Sequence, residues 1–395
     1  MQSRRVAGFG TTVFTEFSRL AAQVQAVNLG QGFPDFDGPE EIKAAAKAAI
    51  DGGVNQYAIT TGAVALRKAV AAHSARFYAQ TINPDTQVTV TSGATEAIFD
   101  AVMALVNPGD EVVIFEPFYD SYVASVEMAG GVGRYVALQP PDGKHATWWF
   151  DEAALAAAFS DKTRLVLVNT PHNPTGKVFT RDELELIGRL AKKHDAVIVS
   201  DEVYEHLVFA PAVHLRPATL PALADRTLTI SSGGKSFSFT GWKIGWALGP
   251  EPLVRAVQKA HQWVTFATAA PFQAAIAKAL ELPDSYFQGF QSMYRAKRDF
   301  ISSALAKAGL EPLVPEGTYF VIARTDRHLG AHPDDVSFCR WLTQELKVAA
   351  IPPSPFYSKE HAGQARALAR FAFCKTDPVL EEAGRRLARL NAGGI

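Results

Sequence analysis

The chain has 395 residues, 48% of them hydrophobic, and its 39 basic side chains nearly balance 40 acidic ones. This length predicts two or three domains with a sizeable apolar core, and it excludes disorder as the main state. The balanced charge argues against nucleic acid and membrane surfaces as partners, because both attract basic faces.

The first predicted elements are an N-terminal arm and two helices. Residues 1–40 are rich in Gly, Thr and Phe, and we expect them to form an arm that has no core of its own and associates with a small domain. The Ala-rich stretch after Glu40 favours a helix. The helical spacing of Leu66, Val70 and Phe77 predicts a second helix.

Short β-branched runs then alternate with helical patterns between residues 85 and 250, which predicts a parallel sheet with helices on both faces. In the crossover after the third run, Thr180 and Glu183 have capping-box spacing, and Leu184, Ile187 and Leu190 form an apolar stripe. The predicted strands cover residues 88–90, 112–115, 165–168, 197–200, 228–231 and 244–248.

The pattern changes after Leu282, where helices near 286–308 and 334–347 flank short strands near 318–323 and 369–373. We therefore predict a large domain over residues 41–280 with a mostly parallel, doubly wound α/β sheet. A smaller α+β domain follows over residues 281–395. Cys339 and Cys374 lack Cys-x-x-Cys spacing, and no apolar run has the length of a membrane span, so we expect a soluble, cytoplasmic protein with no metal site.

Polar side chains follow three of the predicted strands, where ligands bind in open parallel sheets. Asn173 follows the third strand, Asp201 and Tyr204 follow the fourth, and Ser232 and Lys235 follow the fifth. Each residue alone could start a turn or lie in solvent. Together they predict a crevice that carries chemistry.

A phosphate-binding nucleotide loop is an alternative interpretation of the Lys235 segment. That motif requires glycine at position 229, which is Thr229, and an amphipathic helix after the lysine. Because both features are missing, a nucleotide hydrolase is a remote alternative.

These residues resemble the motifs of the class I/II aminotransferases of fold type I, which depend on pyridoxal 5′-phosphate (PLP). Within that family the chain is most similar to the methionine, kynurenine and glutamine transaminases and to the N-succinyldiaminopimelate aminotransferases. The resemblance covers nearly the whole chain and includes Asn28-Leu29-Gly30-Gln31-Gly32-Phe33-Pro34, Asn55-Gln56-Tyr57, Thr170-Pro171-His172-Asn173-Pro174-Thr175-Gly176, Asp201-Glu202-Val203-Tyr204-Glu205-His206, the Lys235 segment and Leu368-Ala369-Arg370-Phe371.

The resemblance implies a catalytic role for Lys235, Asp201 and Tyr204, and a cofactor-binding role for Asn173. Lys235 matches the lysine that joins PLP covalently and later moves a proton at the substrate Cα. Asp201 matches the carboxylate that keeps the pyridine nitrogen of PLP protonated. Tyr204 and Asn173 match the two donors to the 3′-oxygen of the cofactor.

The remaining cofactor contacts are implied in the same way. Gly93, Ala94 and Thr95 open a helix whose N-terminus can hold the phosphate. Ser232 and Lys243 match the hydroxyl and cationic contacts of the family, in which many members carry arginine at the second position. The other implied residues are Phe118, stacked on the pyridine ring, and Tyr57, which reaches the phosphate from a neighbouring subunit.

For the substrate, Arg370 matches the guanidinium that binds the carboxylate in two-point fashion. Phe266 resembles a residue that enters from the neighbouring subunit, so the resemblance implies a symmetric homodimer with shared active sites. The other residues expected around the substrate are Asn173 and Gly32, with Phe14, Phe33, Tyr119 and Trp246 as candidates for a side-chain pocket.

We therefore expect a PLP-dependent aminotransferase that works by ping-pong half-reactions on an L-amino acid and a 2-oxo acid. The aromatic candidates favour methionine, an aromatic residue or another large apolar donor. The open alternatives are N-succinyldiaminopimelate as donor, β-elimination from cysteine S-conjugates, and a binding protein that has kept the cofactor without turnover.

Overall fold

A seven-stranded mixed sheet forms the centre of the protein in the computed structural model, which describes residues 2–391. Six of its strands run in one direction and β8 is antiparallel to both neighbours, in the order β2-β8-β7-β6-β5-β3-β4. The strands of the protein are β1 (Val27–Asn28), β2 (Val88–Ser92), β3 (Glu111–Glu116), β4 (Val132–Ala137), β5 (Thr163–Asn169), β6 (Val197–Asp201), β7 (Thr227–Ser232), β8 (Ile244–Leu248), β9 (Glu311–Leu313), β10 (Phe320–Arg324), β11 (Val348–Ala349) and β12 (Leu368–Ala372).

Helices cover both faces of this sheet, as expected for an α/β fold. The α-helices are α1 (Val13–Gln23), α2 (Glu40–Asp51), α3 (Val64–Tyr78), α4 (Gly93–Leu105), α5 (Asp120–Ala129), α6 (Glu152–Ala157), α7 (Arg181–Lys193), α8 (Gly233–Ser236), α9 (Glu251–Val264), α10 (Ala270–Leu280), α11 (Asp284–Lys307), α12 (Asp335–Trp341) and α13 (Asp377–Leu387). A π-helical turn, Leu342–Leu346, continues α12. Within residues 2–391, no helix combines the length and the apolar character that crossing a membrane requires.

All six strands predicted between residues 85 and 250 are confirmed, and so is the crossover from β5 through α7 to β6. Thr180 accepts a hydrogen bond from the Glu183 backbone, and the Glu183 side chain accepts one from the Thr180 backbone, so the capping box is complete. The sequence did not predict β4. This strand lies at the sheet edge with its residues mostly half-buried or exposed, so its apolar pattern is weak.

A second sheet, β12-β10-β9, is antiparallel and packs with α11 and α13 around its own apolar core. The N-terminal segment contributes to this core through Phe17 of α1 and Leu29, both buried, and β1 pairs in parallel with β11. Neither α1 nor β1 was predicted, because apolar residues in this segment are interrupted by Gly and Thr. The domain boundaries near residues 40 and 280 stay a prediction.

Candidate active site

A cavity of about 280 Å³ lies beyond the carboxyl ends of the central strands. Neighbouring strands end there at Asn169 in β5, Asp201 in β6 and Ser232 in β7, and Asn169 is paired in register with Asp201. The Asn169 side chain holds this edge together, because its amide donates to the Asp201 carbonyl at 2.9 Å and its oxygen accepts from the Asn173 backbone at 2.6 Å.

Asp201 presents a buried carboxylate to the cavity, with 5% of its surface exposed. Tyr122 donates its hydroxyl to Oδ2 at 2.6 Å, and the Val203 N–H donates to Oδ1 at 3.3 Å. Burial raises the pKa of Asp201 to about 6, while Tyr122, Val203 and the Lys235 charge oppose that rise. The group is therefore an anion near neutral pH, and it can bind a proton or a protonated nitrogen.

Lys235 lies in the short helix α8, directly after β7. Its Nζ donates to the Tyr319 hydroxyl at 2.8 Å, and that hydroxyl in turn donates to the Gly32 carbonyl at 2.5 Å. Burial lowers the pKa of Lys235 to about 8, and the cations Lys243 and Arg370 add to this effect. A larger fraction of this amine is neutral near pH 7 than for a solvated lysine, which makes it a better nucleophile and base.

A cradle for an anion is built where β2 meets α4. Gly93 opens α4 at φ +76°, and a Cβ there would lie 3.0 Å from the Lys243 Nζ. A Cβ on Gly245 would lie 2.5 Å from the Gly93 carbonyl carbon, so a side chain is excluded there, and the left-handed φ of Gly93 disfavours one at that position. The N-terminus of α4, with Thr95, Ser232 and Lys243 in the same cavity lining, offers N–H groups, hydroxyls and a cation to a phosphate.

Arg370 enters the cavity from β12 of the second sheet and is almost fully buried. Its Nη2 donates to the Gly30 carbonyl at 2.8 Å and its Nη1 to the Asn173 Oδ1 at 3.3 Å, whereas its buried Nε has no partner among the described residues. Burial lowers its pKa to about 10, so the guanidinium remains charged. A carboxylate is the natural counterion for this fork of donors.

Most of the predicted site residues line this one cavity. Tyr204 is among them, buried against the Tyr319 ring at 5.2 Å between centroids, and burial raises its pKa. The predicted residues that the structure brings together are Phe14, Gly32, Gly93, Ala94, Thr95, Tyr119, Asn173, Asp201, Tyr204, Ser232, Lys235, Lys243 and Arg370.

Three predicted residues lie on the surface of the chain instead. Tyr57 is 85% exposed, and its ring packs edge-on against Phe266 at 5.4 Å between centroids. Phe266 and Phe33 are about half exposed. None of the three lines the cavity formed by the described residues.

The prediction that Phe118 faces the cofactor is not supported by its placement, because the neighbouring Tyr119 lines the cavity. The Phe118 ring packs in the core against Tyr135, with centroids 5.8 Å apart, and its N–H donates to the Phe356 carbonyl at 2.7 Å. Sequence alone could not choose between adjacent aromatic residues, because only the backbone path decides which ring points outward. Trp246 is corrected in the same way, since it is buried in the core beside α2 and α3.

Sequence analysis missed several functional candidates, notably Gln31, Asn169, Tyr122 and Tyr319. Tyr122 lies on α5, three residues after Tyr119 at the N-cap of that helix, so helical spacing could have placed the two rings on one face. Tyr319 gave no such signal, because it precedes β10 and contacts Lys235 only through tertiary packing.

Comparison with known proteins identifies the same chemistry. The family model for aminotransferase class I and II matches residues 24–387. A probable N-succinyldiaminopimelate aminotransferase of Mycobacterium tuberculosis is 46% identical over 99% of this chain and 98% of its own length. The methionine aminotransferase of Escherichia coli is 41% identical over 96% of both chains. The kynurenine–oxoglutarate transaminase of Dictyostelium discoideum is 40% identical over 98% of this chain and 96% of its own.

Solved structures agree. The N-succinyldiaminopimelate aminotransferase from Mycobacterium tuberculosis superposes with a TM-score of 0.94 at 45% identity, covering 99% of this chain and all of that one. The cavity also fits PLP: it offers the half-buried amine of Lys235, the buried carboxylate of Asp201 and a glycine-lined anion cradle. The chain therefore belongs to the class I and II aminotransferases, which are PLP-dependent enzymes of fold type I.

Proposed function

We propose that this aminotransferase acts on a large apolar or aromatic L-amino acid, such as methionine, phenylalanine or kynurenine, with a 2-oxo acid as acceptor. The observation that carries the proposal is the makeup of the cavity. Arg370 is the only arginine in the lining formed by residues 2–391, and Phe14, Tyr119 and Phe320 surround the same space. One guanidinium suits one carboxylate, and the rings suit an apolar side chain.

The roles of the polar residues follow from their contacts. Bound PLP supplies an electron sink for the carbanion at the substrate Cα. Asp201 would keep the ring nitrogen of the bound cofactor protonated, and the Lys235 amine would take the proton from the substrate Cα and deliver it to C4′ of the cofactor. Tyr204 and Asn173 would donate to the 3′-oxygen, while Ser232, Lys243 and the start of α4 would hold the phosphate.

Arg370 orients the substrate. Its Nε has no partner within residues 2–391, and its Nη1 contact with Asn173 is long at 3.3 Å, so donors are available to a carboxylate. The Phe320 and Phe14 rings lie 4.3 and 5.1 Å from the guanidinium carbon and keep the group in one orientation.

We also propose a symmetric homodimer in which Tyr57 reaches the phosphate of the partner site and Phe266 reaches its substrate. An exposed apolar surface supports this: Trp263 is 83% exposed and Val264 50% exposed, next to the exposed pair of Tyr57 and Phe266. A surface of this kind favours association with a second copy. The buried free thiols Cys339 and Cys374 are compatible with the proposed cytoplasmic location.

N-succinyldiaminopimelate is the second candidate donor, favoured by the 46% identity to the mycobacterial relative. Its extra carboxylates require cations beyond Arg370, and the other cations in the lining formed by the described residues, Lys235 and Lys243, are those that we assign to the cofactor. We therefore rank it below the apolar donors.

A panel of amino donors tests the proposal. Each donor is added to the holoenzyme, loss of the cofactor absorbance is followed, and kcat/KM is measured with a common 2-oxo acid. We expect the highest values for methionine and aromatic donors. A far higher value for the succinylated or acidic donors would contradict the assignment, and pyruvate release from a cysteine S-conjugate without acceptor would establish β-elimination. Absorbance that no donor alters would indicate a binding protein.

A further inference from the structure

A buried ionic cluster of Glu96, Asp100 and His261 lies behind the phosphate cradle. The Nδ1 of His261 is 2.9 Å from the Glu96 Oε1, and its Nε2 is 2.9 Å from the Thr60 carbonyl. Both partners are acceptors when Glu96 is ionised, so both ring nitrogens must donate. The geometry therefore requires His261 in its protonated, cationic form.

Asp100 explains how a cation is kept in this buried place. Neither of its carboxylate oxygens has a hydrogen-bond partner among residues 2–391, although the residue is fully buried, and Oδ2 lies 3.8 Å from the His261 Nδ1. The carboxylate thus acts on the imidazole by charge alone. If His261 loses its proton, the Asp100 carboxylate loses the positive charge that it faces.

The cluster contacts three functional parts of the chain at once. Glu96 also accepts a hydrogen bond from the Ser92 N–H, at the start of the cradle. The His261 carbonyl accepts from the N–H of Phe266 at 3.0 Å, where the backbone adopts a left-handed φ of +70°. Thr60 lies three residues after Tyr57, whose ring packs on Phe266.

We propose that Glu96, Asp100 and His261 form a positioning device that holds the Tyr57–Phe266 pair in place for the partner subunit's active site while anchoring the phosphate cradle of their own. This inference rests on the proposed function, because it requires the two aromatic residues to serve the neighbouring site. His261 acts through its hydrogen bond to Thr60, and losing the Nε2 proton releases the loop that carries Tyr57.

The charges around His261 set the direction of its pH dependence. Burial opposes the imidazolium, but the hydrogen bond and charge of Glu96, the charge of Asp100 and the Thr60 carbonyl outweigh it and raise the His261 pKa above its usual value. Burial, with the charge of Glu96, raises the pKa of Asp100 to about 7. The Thr60 hydrogen bond is therefore present at low pH, and it weakens as the pH rises through the raised His261 pKa.

Heterodimers with a single working site test the proposal. One chain is wild type, and the other carries Lys235→Ala. The only functional active site then contains Lys235 of the wild-type chain and the Tyr57 loop of the variant chain. Adding His261→Asn to the variant chain keeps a donor toward Glu96 and removes the one toward Thr60. We expect kcat/KM to fall at least about fivefold relative to the heterodimer without it.

The matched variant is His261→Gln, whose amide reaches Thr60 but carries no charge. In the same heterodimer, His261→Gln should keep most of the kcat/KM, and the kcat/KM should no longer depend on the protonation of residue 261. Tyr57→Phe on the variant chain tests the shared site itself. If Tyr57→Phe has no effect in this position, the shared site is wrong. If Tyr57→Phe lowers activity and His261→Asn does not, the shared site stands and the positioning role is overturned.

Hydrogen exchange of the holoenzyme provides a readout that does not depend on turnover. We expect the protection of residues 57–63 to decrease in the wild type as the pH rises through the raised His261 pKa, and to be low at every pH in His261→Asn. Asp100→Asn removes a negative charge, so it should move the midpoint to lower pH. Protection that is independent of pH, or unchanged by these substitutions, would overturn the proposal.

Discussion

The interior of the cavity and the exposed aromatic pair differ in how their residues are held. Asp201 and Arg370 are buried, Lys235 is half-buried, and each contacts two or more polar groups of the same chain. Tyr57 and Phe266 contact each other on the surface, and His261 supports them from behind. The chain thus preorganises the groups that we assign to proton transfer. Tyr57 and Phe266, which we assign to the active site of a neighbouring subunit, face outward instead.

The largest expected effect is at Lys235. Lys235→Ala should lower turnover by about four orders of magnitude or more, because no other amine in the cavity formed by the described residues replaces a nucleophile and base together. Borohydride reduction followed by peptide mass mapping should label residue 235 in the wild type and nothing in the variant. Lys243→Ala is the matched control, which should retain the label with weaker cofactor affinity. A label elsewhere in the wild type would contradict the assignment.

Asp201→Asn should lower kcat by about 10³-fold with the cofactor still bound, because an amide does not hold a proton on the ring nitrogen. Cofactor occupancy and kcat are measured on the same preparation. Tyr122→Phe is a milder test, because it keeps the Asp201 carboxylate and removes only the hydroxyl that donates to it. Its hydroxyl opposes the rise in the pKa of Asp201, so its loss should raise that pKa and move the acidic limb of the pH profile upward. An unchanged kcat in Asp201→Asn would remove this carboxylate from the mechanism.

Arg370→Lys should raise KM for the amino donor by about 10- to 100-fold with a smaller change in kcat, because one ammonium replaces a two-point fork. Steady-state kinetics with two donors of different side chains separate the effects. The increase should be equal for both donors if Arg370 binds only the carboxylate. A change confined to one donor would instead assign Arg370 to the side-chain pocket.

The pH dependence of cofactor uptake gives a smaller, graded effect. The pKa of Lys235 is about 8, and only the neutral amine attacks the PLP aldehyde, so uptake by the cofactor-free protein should accelerate about tenfold per pH unit below 8 and level off above it. Stopped-flow absorbance measures the rate. A rate that keeps rising to about pH 10 would show that the pKa of the Lys235 amine is not lowered.

The smallest effect distinguishes the two adjacent aromatic residues. Tyr119→Leu should raise the Kd for PLP by about tenfold through lost stacking, whereas Phe118→Leu should leave Kd nearly unchanged and lower Tm, because its ring packs in the core. Equilibrium titration and thermal unfolding of both variants measure these outcomes. The reverse result would restore Phe118 as the stacking residue.

Sequence patterns predicted the central sheet well, because buried parallel strands are nearly continuous apolar runs whose ends are marked by polar turn residues. Asn173, Asp201, Ser232 and Lys235 could be found in this way, and the cavity contains all four. The patterns failed at β4, α1 and β1. These elements are partly exposed or bury few residues, so local periodicity is weak.

By itself, the sequence determined the class of fold, the family and the residue types that meet at the strand ends, since these depend on local patterns and on motifs of adjacent residues. Only the tertiary structure decided that Tyr119 rather than Phe118 faces the cavity, that Tyr319 holds Lys235, and that His261 links the cradle to the Tyr57 loop. Those contacts join residues far apart in the chain, and side-chain direction at a strand end depends on packing that no local pattern encodes.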